Sequence, residues 1–83
     1  MPKQMTDDVY CAVDTERSYQ KALWGEPPHE VGSFLVFVRT YLRKAEDALT
    51  VDDEPLTLEN VRKCAALLVA CMEQHGAPRR TGY

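Results

Sequence analysis

The longest apolar run in the chain is Cys64-Ala65-Ala66-Leu67-Leu68-Val69-Ala70-Cys71-Met72, nine residues without a polar side chain. Nine residues make about two and a half helical turns, so a helix here is apolar on every face and needs cover on every face. The run is far too short to span a membrane, which takes about 20 residues. Thr57 suits the N-cap upstream, Gly76 suits the residue that ends a helix, and Pro78 blocks continuation. These signals predict a helix over about 57–75. Upstream, Val31, Phe34, Leu35, Val38, Tyr41, Leu42, Ala45 and Leu49 recur at three- and four-residue spacing. That period predicts a helix over about 29–49, with Pro28 placed in its first turn. Val36 and Phe37 lie off the stripe and form a second apolar patch. A first helix is expected over about 6–24, capped by Thr6, with Asp7 and Asp8 near the positive end of its dipole. Its inward positions are Val9, Ala12, Val13, Leu23 and Trp24, but Glu16 and Gln20 fall on the same stripe. Two polar residues on an inward face require partners or a purpose.

The pattern gives an all-α fold: a three-helix unit, formed by a helical hairpin plus an N-terminal helix. Residues 1–5 are expected as a flexible arm, 6–76 as a single helical domain and 77–83 as a basic tail. Chains of 83 residues bury too little surface to be more than marginally stable alone. Two neighbouring helices cover only part of the apolar run. The expectation is therefore a homo-oligomeric helical bundle, with Ala66 and Ala70 allowing close helix approach.

Charge and cysteine content narrow the function. A formal charge of −3 gives no basic face for a DNA or RNA duplex. Three cysteines, two of them in the apolar run, do not make a disulfide framework and suit a reducing cytoplasm. Met1–Met5 leads directly into Thr6-Asp7-Asp8, with no signal peptide expected and no membrane partner. Glycine-rich phosphate loops, zinc-spaced Cys/His sets and recognisable nucleophile contexts are missing, so no cofactor is expected. The acidic loop Asp52-Asp53-Glu54 lacks the ligand spacing of an EF-hand and reads as solvated.

One corner concentrates chemistry. In an antiparallel hairpin of the second and third helices, His29 and His75 come to the same end, with Trp24 and the tail residues Arg79 and Arg80 nearby. Arginines match phosphate oxygens in a two-pronged geometry, helix N-termini favour anions and rings can stack a base. Arg17 lies in a row with Tyr10 and Trp24, where it can stack on the rings.

The segments Glu16-Arg17-x-Tyr19-Gln20, His29-x-Val31-Gly32, Ala45, Arg62-Lys63 and Cys71-Met72-Glu73-Gln74-His75-Gly76-Ala77-Pro78-Arg79-Arg80 resemble a group of short bacteriophage-encoded proteins, over most of residues 15–80. Some members look like the all-α nucleotide pyrophosphohydrolases of the MazG type, which hold magnesium with paired carboxylates in a helical bundle. This chain departs from that pattern. Glu16 has no acid three residues away, Glu46 and Asp47 are adjacent, and Glu59 has Arg62 at the third position. The resemblance implies a nucleotide-related role in a host-cell cytoplasm without the catalytic metal site.

The function expected is a non-enzymatic, oligomeric phage protein that binds a nucleotide-like ligand and sequesters a host immune signal. Alternatives are a magnesium-dependent nucleotide pyrophosphohydrolase and a protein-binding adaptor or inhibitor of a host protein. The expected ligand-binding residues are Glu16, Arg17, Tyr19, Gln20, Trp24, His29, Arg79 and Arg80. Arginines would hold phosphate, rings would stack the base, and Glu16 or Gln20 would read hydroxyl or amide groups.

Overall fold

The computed structural model describes residues 3–81. Three helices follow one another: α1 (Lys3–Trp24), α2 (Val31–Thr50) and α3 (Glu54–His75). The described residues contain no strand, and none of their helices is long and apolar enough to cross a membrane. The fold is the all-α three-helix unit read from the pattern. α2 and α3 form the antiparallel hairpin, and α1 lies against α3 alone. The backbones of α1 and α2 do not come together. A cleft opens between them, with α3 as its floor.

The helix starts differ from the sequence expectation, each for a local reason. α1 begins at Lys3, so Thr6 is inside the helix and is not its cap. Met1 and Pro2 at one end, and Gly82 and Tyr83 of the expected tail, lie outside the described residues. α2 begins at Val31 after Glu30 in an extended conformation, so Pro28 and His29 belong to the connecting loop. α3 begins at Glu54, capped by Asp53, whose Oδ1 accepts from Leu56 N at 3.1 Å. Thr57, the expected cap, instead donates its hydroxyl to the Asp53 carbonyl at 2.8 Å. Asp52 turns the α2–α3 connection at φ 57°, a left-handed position that Asp tolerates better than most residues.

The helix ends follow the sequence. Gly25 closes α1 at φ 73°, donating its N–H to the Lys21 carbonyl at 2.8 Å. Gly76 closes α3 at φ 102° and ψ 161°, a region open essentially only to glycine.

The core is thin. Its buried apolar residues are Phe34, Ala45 and Ala48 on α2 and Cys64, Ala66, Leu67 and Ala70 on α3. Only Phe34 and Leu67 among them are large. Burial pushes the Cys64 thiol above its ordinary value, against a smaller opposing effect of its backbone hydrogen bond. Cys64 is thus a protonated, space-filling thiol, donating weakly to the Val38 carbonyl at 3.5 Å.

The docking of α1 inverts the expected pattern. Glu16, Arg17 and Gln20 are buried, while Val9, Leu23 and Trp24 stay about half exposed. Glu16 Oε1 pairs with Arg62 Nε at 2.9 Å, and Arg17 Nε pairs with Glu73 Oε1 at 2.7 Å. Gln20 Nε2 donates to the Lys63 carbonyl at 3.4 Å. A polar seam therefore fixes α1 on α3. The two residues that interrupted the apolar stripe help dock it, because α3 presents the Arg62 guanidinium to Glu16 and the Lys63 carbonyl to Gln20.

Candidate functional site

The cleft between α1 and α2 has a volume of 390 Å³, within the range of small-molecule sites. Arg17, Gln20 and Trp24 come from α1, Phe37 and Tyr41 from α2, and Leu67 with Ala70 from the α3 floor. The Gly25–Glu30 loop closes one end with His29.

That loop is held by three consecutive residues at the end of α3. Gln74 Oε1 accepts from His29 N at 3.0 Å, and Gln74 Nε2 donates to the Pro27 carbonyl at 3.2 Å. His75 Nε2 lies 2.6 Å from the His29 carbonyl. A carbonyl only accepts, so this nitrogen carries the proton. Glu73 adds the ion pair to Arg17, whose Nη2 also reaches Glu26 of the loop at 3.2 Å. Both backbone polar groups of His29 are thus occupied by α3 side chains, which hold the residue in the loop ahead of α2. The run Glu73-Gln74-His75 thus ties together α1, the loop and α3.

The walls are aromatic. The His29 ring meets Phe34 and Phe37 edge-to-face at 5.5 and 5.1 Å, and Phe34 meets His75 at 6.2 Å. Such geometry suits ring quadrupoles and fixes the orientation of each ring. Tyr41 has the ammonium groups of Lys44 and Lys63 at 5.0 and 5.6 Å from its centroid. Arg17 does not stack on Tyr10 or Trp24 as expected; its guanidinium is committed to the two carboxylates.

The polar groups of the cleft are unevenly satisfied. Arg17 is neutralised by Glu26 and Glu73, and Glu26 also takes Lys21 at 3.1 Å. A second, more open depression of 420 Å³ adjoins the cleft and shares Arg17, Glu26 and His29 with it. It contains Glu73 as well, so the corner has paired charges rather than a surplus of positive ones. Gln20 differs: it is only 3 % exposed, and among the described residues no donor reaches its Oε1.

Of the eight residues expected to bind ligand, Arg17, Gln20, Trp24 and His29 line the cleft. Glu16 is engaged with Arg62 and does not line it, and Tyr19 is exposed outside it. Arg79 and Arg80 are exposed in the segment after Gly76 and do not line it either. His29 and His75 meet at one end, as the hairpin argument required. Phe37, Tyr41 and Gln74 were missed. The off-stripe position of Phe37, and Tyr41 four residues later, was the available signal.

Among the described residues no three His, Cys, Asp or Glu side chains gather as a metal site. The chain matches no protein-family model, no curated protein and no solved structure.

Proposed function

We propose that this protein is a non-enzymatic, self-associating binder of a nucleotide-like ligand, with the base seated in the α1–α2 cleft. In a phage setting such a binder sequesters a host immune signal. The observation that carries the reading is the cleft itself: aromatic walls, one unsatisfied buried amide, and an arginine already neutralised. Rings and an amide bind without reacting. The phosphates would project from the mouth toward the segment bearing Arg79 and Arg80, which follows His75 in the chain. A non-enzymatic role rather than pyrophosphohydrolysis is favoured by the pairing of Glu16 with Arg62, which commits this α1 carboxylate to an ion pair.

Self-association is supported by the exposed apolar stripes. Val61, Leu68 and Met72 on α3 are 46, 40 and 45 % exposed. They lie roughly half a turn from Leu67 and Ala70, on the side away from the cleft. Leu35 and Leu42 on α2 are about half exposed and lie on that same side of the hairpin. With so thin a core, the partner that covers this face must be present whenever the chain folds. A second copy meets that condition directly. The same face also suits the protein-binding adaptor reading.

A thermal-shift panel of mono- and cyclic nucleotides, with and without magnesium, tests the function. At a 100-fold excess over Kd a true ligand stabilises by about 2.7 kcal/mol, about 10–20 °C for a chain this small. The expected result is stabilisation independent of magnesium, with the nucleotide recovered intact. Released pyrophosphate would favour the enzyme. No response to any nucleotide would remove the ligand assignment.

A further inference from the structure

We infer that the cleft selects a flat, uncharged nitrogen heterocycle that presents an N–H to Gln20 Oε1. This rests on the nucleotide-like reading above and adds which edge of the ligand is recognised. Gln20 stands on the α1 wall, almost completely buried, and its two polar ends have different fates. Its amide nitrogen is held by the Lys63 carbonyl, which only accepts. Turning the amide over would set oxygen against oxygen, so the carbonyl end is the one left over. That bond is 3.4 Å, at the long limit, so the amide can rotate slightly to meet a partner.

Among the described residues no donor reaches that oxygen. Phe34, Phe37, Leu67 and Ala70 are apolar, and Trp24 and Tyr41 offer one donor each on opposite walls. The Arg17 donors are drawn to Glu26 and Glu73. An acceptor left unmatched in apolar surroundings is costly, and a ligand that satisfies it recovers that cost. The walls set the shape of such a ligand, since rings meeting edge-to-face leave faces against which a planar system can lie. Charge sets the rest: Glu26 balances Arg17, so the lining does not favour an anionic or cationic ring. A ring that only accepts hydrogen bonds leaves Gln20 as it was.

The test is calorimetric titration of the unaltered protein with nucleoside monophosphates and their counterparts methylated at the base N–H. The pairs are uridine with 3-methyluridine, inosine with 1-methylinosine, and adenosine with N6,N6-dimethyladenosine monophosphates. For the base that binds best, methylation is expected to weaken binding on the order of tenfold or more, the range for an unmatched buried acceptor. In Gln20→Leu the methylated and unmethylated forms are expected to bind alike. Equal affinities for both forms on the unaltered protein would overturn the inference while leaving nucleotide binding in place. No binding by any nucleotide would overturn both. The comparison on the unaltered protein decides the matter even where the variant does not fold.

Discussion

Arg62→Ala is expected to release α1 from the hairpin. The substitution leaves the Glu16 carboxylate, 7 % exposed, without the guanidinium that holds it at 2.9 Å. Breaking a buried ion pair from one side costs about 3–5 kcal/mol. The Arg62 side chain is 40 % exposed, so solvent screening reduces this to roughly 2–3 kcal/mol. Apart from the Arg17 ion pairs and the Gln20 hydrogen bond, α1 has little to hold it. Among its described side chains none that is large and apolar joins the buried core, and it does not pack on α2. A free helix of this length is marginal in water. Hydrogen exchange read by mass spectrometry should therefore show protection lost over residues 6–24 and kept in α2 and α3. Glu16→Gln in the same chain should restore much of the protection, because a neutral amide needs no counter-charge. Unchanged exchange in α1 after Arg62→Ala would show that the Glu16–Arg62 pair does not dock the helix.

Leu68→Glu should break self-association and leave the individual fold intact. Leu68 stands 40 % exposed in the middle of the apolar stripe on α3, away from both α1 and α2. On an isolated chain the change is nearly neutral, since exposed substitutions usually stay within about 0.5 kcal/mol and both residues are good helix formers. Across an interface it buries a carboxylate in every copy, which is strongly unfavourable. Sedimentation should change from an assembly to a 9.4 kDa particle at micromolar concentration. An unaltered chain that already sediments at 9.4 kDa would refute self-association.

The legible part of the fold is local. Helical period located α2, and Gly76 marked the end of α3. The starts of α2 and α3 were misread because long- and short-range ties override propensity there. His29 is held by Gln74 and His75 from the far end of the chain, and Asp53 took the capping role assigned to Thr57. The apolar run of α3 is covered over Cys64, Ala66, Leu67 and Ala70 and left open at Leu68 and Met72. That the other two helices leave part of the run exposed was therefore visible in the sequence, although the direction it faces was not.

Of the eight residues expected at the site, half line the cleft. Gln20 stood out as a polar group on an inward stripe, and Trp24 and His29 as rings beside a turn. Glu16 carried the same signal as Gln20 and came out differently. Arg62 meets its charge, whereas the Gln20 carbonyl meets nothing. Periodicity cannot separate those outcomes, because both partners lie more than forty residues away. The arginines of the C-terminal segment were placed by proximity in the chain, and proximity does not bring them into the cleft.

The most direct test is a nitrogen-15 resonance titration with nucleoside monophosphates. It follows the Trp24 indole, the Gln20 side-chain amide and the backbone amides of Phe37 and Tyr41. Saturable shifts at those four positions, with Val61 and Leu68 still, are the expected result. Shifts confined to Val61, Leu68 and their neighbours, or none at all, would contradict a ligand site between α1 and α2.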